Sequence, residues 1–224
     1  MRLVIFDCDG TLVDSQNAIC AAMEHAFNML QLPIPSRSDI LNVVGLSLPQ
    51  AFATLAAGHP VTIHAALAEH YRSDFPAKRQ QALLHDPLYP GVGDVVTALS
   101  RRDNVLLGIA TGKSKRGVAR LLDREGWRHH FVTIQTADDN PSKPDPSMIL
   151  RAMAETGAGP SSTFMIGDTS YDMEMARSAG VAAIGVSWGY HTAERLLAAG
   201  AHAVVGTSEA LLQAVDARFC ASVE

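Results

Sequence analysis

Hydrophobic residues in the second half of the chain occur in short continuous runs that alternate with amphipathic stretches. Short apolar runs predict buried strands, whereas apolar residues at three- and four-residue steps predict helices. Strands are expected over 105–110, 131–134, 163–166, 181–186 and 203–205, in addition to a first strand that leads into Asp7. Helices are expected over 92–102, 114–125, 146–155, 171–179, 193–199 and 209–219. This alternation predicts an α/β fold, with a Rossmann-like parallel sheet and helices on both faces.

The pattern between the first strand and residue 87 is different, because it contains no convincing strand. Helices are expected over 16–30, 39–44, 50–57 and 64–84, with a turn over 45–49. Asp14 and Ser15 are expected to cap the first of these helices. The predicted organisation is an α/β core formed by residues 1–14 and 87–224, interrupted by a helical cap at 15–86.

Composition and charge narrow the functional class. The chain has 224 residues, 47% hydrophobic and 18% charged, as is typical of globular proteins. A net charge of −5 and a pI near 6.0 argue against nucleic acid or an anionic membrane as a partner. We expect no signal peptide and no transmembrane helix, because the longest apolar runs are strand-length, and three dispersed cysteines without a CxxC motif favour a reducing compartment. We therefore expect a cytoplasmic monomer or homodimer.

Side chains suited to catalysis follow several of the predicted strands. They are Asp7 and Asp9 after the first strand, Thr111 and Gly112 after the strand at 105–110, Lys143 ahead of a helix, and Asp168 and Asp172 after the strand at 163–166. In open parallel sheets, ligands bind beyond the carboxyl ends of the strands. Four carboxylates, a lysine and a hydroxyl at that edge predict a site for a hard cation and a phosphate.

The acidic pair Asp7 and Asp9 is the starting point of this interpretation. Because side chains alternate along a strand, the two carboxylates are expected to point to the same side. Two buried like charges repel each other, so the pair requires a cation or a shared proton. A capping aspartate followed by a turn aspartate is the alternative for this segment alone.

Four segments of the chain resemble, in order, the four motifs of the haloacid dehalogenase (HAD) superfamily, phosphoglycolate phosphatase-like branch. They are Asp7-Cys8-Asp9-Gly10-Thr11, Thr111, Lys143-Pro144, and Gly167-Asp168 with Asp172. The resemblance covers essentially the whole chain. It implies a HAD-like core with a helical cap inserted between the first two motifs, and a Mg²⁺-dependent phosphatase that acts on a small phosphorylated metabolite.

The resemblance also implies a set of metal ligands. Mg²⁺ would be held by the Asp7 carboxylate, the Asp9 main-chain carbonyl and the Asp168 carboxylate. Asp172 would act through a water or orient Lys143.

Roles in phosphoryl transfer can be assigned to the same residues. Asp7 fits the nucleophile, which would form an aspartyl-phosphate. Asp9 would protonate the leaving alkoxide and then deprotonate the attacking water. Thr111 and the Gly112 amide would bind phosphoryl oxygens, and Lys143 would offset the charge of nucleophile and phosphate.

Substrate contacts from the cap are expected at Gly45 and Ser47, a glycine hinge with a hydroxyl beside it. The cap has no lysine or arginine between Arg37 and Arg72, so it does not obviously provide for a second strongly anionic group. The nine histidines are interpreted as surface or turn residues. The basic cluster at 113–116 is interpreted as a solvated helix start.

Other activities remain to be weighed against a phosphatase. Asp9 argues against a dehalogenase, because that reaction has no leaving alkoxide to protonate. A phosphomutase, such as a β-phosphoglucomutase-like enzyme, shares every core motif and stays open. A response-regulator receiver domain also combines acids, a threonine and a lysine, but it is far shorter and carries its reactive aspartate on a middle strand.

Overall fold

Six parallel strands form a single sheet in the computed structural model, which describes residues 1–80 and 86–221. The strands are β1 (Arg2–Phe6), β2 (Val105–Thr111), β3 (Phe131–Thr136), β4 (Thr163–Gly167), β5 (Ala182–Val186) and β6 (Ala203–Val205). Their order is β3-β2-β1-β4-β5-β6, and every neighbouring pair is parallel. The predicted α/β fold is confirmed.

Helices connect the strands of the sheet and also fill the segment between β1 and β2. Between β1 and β2 lie α1 (Gln16–Met29), α2 (Arg37–Asn42), α3 (Leu48–Leu55), α4 (Val61–Gln80) and α5 (Val92–Ser100). Further along the chain lie α6 (Lys115–Glu125), α7 (Ser147–Thr156), α8 (Ser170–Ser178), α9 (Ala193–Ala198) and α10 (Ser208–Ala221). None of these described helices combines the length and the apolarity that a membrane crossing requires.

Helices cover both faces of the sheet. Because consecutive residues of a strand point in opposite directions, one strand contributes side chains to two cores. In β1, Val4 and Phe6 pack into a core with apolar residues of α5, α6 and α10. Leu3 and Ile5 pack into a second core with residues of α7, α8 and α9. Two covered faces explain why β1 is a continuous apolar run rather than an alternating one.

The helices α1 to α4 have an apolar cluster of their own, which includes Phe27, Phe52 and Leu67.

The bounds of most helices differ slightly from those predicted, and the predicted turn over 45–49 is wrong at its last two positions. Ser47 has extended backbone angles and precedes α3, so Leu48 and Pro49 form the first turn of the helix, where proline is tolerated. Helix α4 begins at Val61, and residues 81–84 of the predicted helix lie outside the described residues. The proposed limits of the cap at 15 and 86 stay a prediction.

Candidate active site

The candidate site lies where the winding of the sheet changes direction. From β1 the chain builds β2 and β3 on one side, and β4 then returns to the other side of β1. Asp7 directly follows β1, Thr111 ends β2, and Asp168 directly follows β4. Open α/β sheets bind ligands outside the carboxyl ends of their strands at this type of position.

Asp7 is buried, with 1% of its surface exposed. Its Oδ1 accepts a hydrogen bond from the Cys8 amide at 2.7 Å, and its Oδ2 lies 3.0 Å from Nζ of Lys143. Burial raises the pKa of Asp7 to about 6, although the nearby Lys143 ammonium lowers it. Oδ2 accepts no well-aligned hydrogen bond from the described residues, so its lone pairs remain available.

Asp168 is enclosed by short loops from two other parts of the chain. Thr11 donates a hydrogen bond to Oδ1 at 2.8 Å, and the Tyr190 amide donates to Oδ2 at 2.9 Å. A Cβ at either Gly10 or Gly189 would lie 2.2 Å from an Asp168 side-chain atom, so only glycine leaves room for this carboxylate. Burial is the main reason that the pKa of Asp168 is raised well above its ordinary range.

Asp172 and Lys143 form a buried ion pair. Nζ of Lys143 donates to Oδ1 of Asp172 at 2.6 Å, and neither side chain is exposed. The other oxygen of Asp172 accepts from the amide and hydroxyl of Thr169, which completes a capping box at the start of α8. Burial alone would lower the pKa of Lys143, but Asp172 and Asp7 raise it above its ordinary value.

Three carboxylates therefore converge in one buried place. Ligand oxygens of Asp7, Asp168 and Asp172 all lie within 4.8 Å of one another. Only the Lys143 ammonium contacts this group as a cation among the described ion pairs, which leaves negative charge in excess. Buried carboxylate oxygens without full compensation fit a hard divalent cation such as Mg²⁺.

The Asp9 side chain is not among the three carboxylates of this cluster, although it lines the same cavity as Asp7. β1 ends at Phe6, so the two-residue alternation of a strand does not extend to Asp9. Its Oδ1 accepts a hydrogen bond from Ser15 at 2.6 Å and forms an ion pair with Lys113. Asp7 and Asp9 thus contact different cations, Lys143 and Lys113, although both line the same cavity.

Two residues next to Asp9 differ from their sequence-based interpretation. Lys113 is not solvated, since only 7% of its side chain is exposed. Ser15 precedes α1 but makes no capping hydrogen bond with its side chain, because its hydroxyl is directed to Asp9. The one available signal for Lys113 was its position two residues after Thr111, at the end of a predicted strand.

Gly112 contacts the turn of the cap that joins α2 to α3. A Cβ at this position would lie 2.7 Å from the Gly45 carbonyl oxygen and 2.9 Å from that of Leu46. The Ser47 amide donates a hydrogen bond to Oγ of Ser142 at 2.7 Å, which adds a second contact between cap and core. The structure therefore brings the predicted residues Gly45, Ser47 and Gly112 to one place.

The cavity between cap and core has a volume of about 860 Å³. Asp7, Asp9, Gly45, Ser47, Thr111 and Gly112 all line it. Thr111 is buried and does not cap the helix that follows, a task performed by Ser114, which accepts from the Gly117 amide. The predicted residues Lys143, Asp168 and Asp172 are fully buried.

His191 lies in the loop before α9, in agreement with a turn residue, but it is not at the surface, because it is 3% exposed. Its Nδ1 accepts a hydrogen bond from the Ser170 amide at 2.9 Å, and its Nε2 lies 3.3 Å from the carbonyl oxygen of Asn42. Burial lowers the pKa of His191 to about 4. The neutral ring therefore donates from Nε2 and joins the core to the end of α2.

Comparison with known proteins agrees with this geometry. Residues 4–186 match the haloacid dehalogenase-like hydrolase family. The chain is 38% identical over 221 residues to a "Probable phosphatase IndB" of Dickeya dadantii, covering 96% of this chain and 94% of that protein. It is 31% identical over 214 residues to a phosphoglycolate phosphatase of Pseudomonas putida, covering 94% of this chain and 78% of that protein.

A solved structure described as a predicted phosphatase from Clostridium acetobutylicum has the same fold. It superposes with a TM-score of 0.85 at 25% identity, covering 96% of this chain and 97% of that one. Both the sequence matches and the shared fold extend over nearly the whole chain. The chain therefore belongs to the haloacid dehalogenase-like hydrolases, in the phosphoglycolate phosphatase-like branch, among the phosphoric monoester hydrolases.

Proposed function

We propose that this protein is a Mg²⁺-dependent phosphatase that hydrolyses a small phosphomonoester through an aspartyl-phosphate on Asp7. The observation that carries the proposal is the convergence of Asp7, Asp168 and Asp172 within 4.8 Å, next to a substrate-sized cavity. Asp7 lines that cavity, so a phosphoryl group can reach its carboxylate.

Asp7 is suited to act as the nucleophile. Its Oδ1 is fixed by the Cys8 amide, whereas Oδ2 accepts no well-aligned hydrogen bond from the described residues and can attack phosphorus. The bond between Oδ2 and phosphorus forms as the bond between phosphorus and the leaving oxygen breaks. Lys143, 3.0 Å from Oδ2, offsets the negative charge of nucleophile and phosphoryl group together.

Asp9 would transfer the proton in both steps. In the first step it would protonate the leaving alkoxide, and in the second it would take a proton from the water that hydrolyses the aspartyl-phosphate. Ser15 and Lys113 hold its carboxylate at the cavity wall. Thr111 and the Gly112 amide, which also line the cavity, would bind phosphoryl oxygens.

Mg²⁺ would be held by the carboxylates of Asp7 and Asp168 with the main-chain carbonyl of Asp9. The ion supplies positive charge that neutralises phosphoryl oxygens during transfer. Asp172 would keep Lys143 in place rather than act as a direct ligand, since its oxygens are engaged by Lys143 and Thr169.

The test is release of inorganic phosphate from p-nitrophenyl phosphate and from a panel of phosphorylated metabolites. We expect turnover with Mg²⁺, loss of turnover with EDTA, and recovery when Mg²⁺ is restored. Asp7→Asn should reduce the rate by at least about 1,000-fold, because the amide is a poor nucleophile. Turnover that survives this substitution would defeat the proposal. Movement of phosphate to another hydroxyl of a hexose phosphate, without release of inorganic phosphate, would indicate a phosphomutase instead.

A further inference from the structure

The cavity next to Asp7 is much larger than a phosphoryl group requires. Its volume of about 860 Å³ falls in the range that binds whole small molecules. Apolar residues of the cap form part of its wall, among them Ile19, Met23, Val44 and Leu46. The organic part of a substrate can therefore extend from the phosphoryl site over an apolar surface.

Two arginines of α6 line the same cavity. Arg116 and Arg120 are four residues apart, which places their side chains next to each other on one side of the helix. Nε of Arg120 is buried and has no hydrogen-bond partner among the described residues. Among the residues whose side chains the structure describes, 1–73 and 86–218, neither guanidinium group forms an ion pair.

Arg116 is exposed and Arg120 is half-buried, so the unfavourable features of this arrangement are the buried Nε of Arg120 and the repulsion between two like charges. Like charges four residues apart on a helix destabilise it, and a buried donor without a partner costs free energy. Burial and the neighbouring Arg116 lower the pKa of Arg120. The nearby acid that lines the cavity, Asp138, is already engaged by the Lys115 amide at 2.8 Å. An oxyanion would satisfy both guanidinium groups, since their planar donors match carboxylate and phosphate oxygens.

We propose that Arg116 and Arg120 bind a second oxyanion, a carboxylate or a phosphate, at the end of the substrate remote from the transferred phosphoryl group. The proposal rests on the phosphatase activity proposed above and names the class of substrate. Arg72 of α4, which also lines the cavity, adds positive charge from the cap. The absence of basic residues between Arg37 and Arg72 therefore does not exclude a dianionic substrate, because the core helix supplies the cations.

The test compares phosphomonoesters that differ only at the remote end. The probes are ω-carboxyalkyl phosphates with two to six methylene groups, the matching primary amides, and the matching α,ω-bisphosphates. At the best length, we expect kcat/KM to be roughly 10- to 100-fold higher for an anionic end than for the amide, as for charge-assisted hydrogen bonds. The ranking of carboxylate and bisphosphate identifies the oxyanion.

The double variant Arg116→Gln/Arg120→Gln should reduce this preference to about onefold, and Arg120→Lys should retain part of it. Lys115→Gln, on the same helix and paired with Asp139, is the matched control and should keep the full preference. Equal kcat/KM for acid and amide in the unsubstituted protein, or a preference that survives the double variant, would overturn the proposal.

Binding separates this proposal from the proposed catalytic activity. Calorimetric Kd values for the same carboxylate and amide, measured on Asp7→Asn protein, report on the arginines without turnover. A preference in Kd that disappears with Arg116→Gln/Arg120→Gln supports the second oxyanion site even if no probe is hydrolysed. Equal Kd values for carboxylate and amide contradict it, whatever the rate of hydrolysis.

Discussion

Lys113 forms an ion pair with Asp9, a residue 104 positions earlier in the chain, and both side chains are largely buried. The pair lies on the wall of the cavity that also contains Asp7. Ser15 donates a hydrogen bond to the same carboxylate oxygen and lies 3.1 Å from the hydroxyl of Tyr190. Asp9 is therefore held by Lys113 and by the nearby Ser15, whose hydroxyl also contacts Tyr190, and a group that transfers a proton has to be positioned in this way.

The first prediction concerns Lys113→Met, which removes the ammonium group but keeps much of the side-chain volume. Asp9 should lose its position, so protonation of the leaving group should suffer. We expect kcat/KM to fall about tenfold or more for an alkyl phosphate, whose leaving alkoxide requires a proton. The fall should be clearly smaller for p-nitrophenyl phosphate, whose leaving group is a weak base. Equal losses for both substrates would contradict a positioning role, and Lys115→Met is the control.

The second prediction concerns Ser15→Ala. Because the Ser15 side chain makes no capping hydrogen bond, the substitution should not destabilise α1 as the loss of a cap would. It should lower kcat/KM for an alkyl phosphate more than for p-nitrophenyl phosphate. The control is Ser36→Ala, since Ser36 does cap α2 by accepting from the Asp39 amide at 3.1 Å. That control should lose about 1 kcal/mol of unfolding free energy and keep its activity.

The third prediction concerns the contact between Gly112 and the cap. In Gly112→Ala, the new methyl group would lie within 3 Å of two main-chain carbonyl oxygens of the cap, so the cap must move away. We expect kcat/KM to fall by about tenfold or more, because a displaced cap no longer excludes water from the site. The melting temperature should change little. Gly159→Ala, whose added Cβ meets nothing within 4 Å, is the control, and an unaffected Gly112→Ala enzyme would refute the prediction.

The fourth prediction concerns Lys143→Met in the absence of metal. The substitution leaves Asp7 and Asp172 buried next to each other without their common cation. Removal of one partner from a buried ion pair costs about 3–5 kcal/mol, and we expect a loss of this size in chemical denaturation. Mg²⁺ should restore part of the stability, visible as a rise in melting temperature larger than in the unsubstituted protein. A loss below about 1 kcal/mol would show that Lys143 is not required to compensate these carboxylates.

Much of the fold follows from the order of apolar and polar residues. All six strands were predicted from short apolar runs, and the central strands β1 and β4 are apolar at consecutive positions because both of their faces are buried. The acids and the threonine of the site were predicted from a second regularity, because they come at or directly after the ends of strands. Residues that directly follow parallel strands meet at one edge of the sheet, whatever their distance in sequence.

Individual side-chain directions could not be predicted in this way. Asp7 and Asp9 line the same cavity, but nothing near Asp9 in the sequence indicates its ion pair with Lys113, because the two residues are 104 positions apart. His191 was interpreted as a surface or turn residue, and its burial was not foreseen, because nothing adjacent to it in sequence indicates that it contacts Ser170 and Asn42.

The sequence alone determined the α/β class, the helical segment between the first two strands, and the identity of the residues at the strand ends. Periodicity and residue type are local properties, and they are sufficient for these conclusions. Only the tertiary structure decided that Lys113 and Ser15 hold Asp9 and that Arg116 and Arg120 line the cavity. The ion pair between Lys113 and Asp9 joins residues far apart in the chain, and it exists only after β1 and β2 have become neighbours in the sheet.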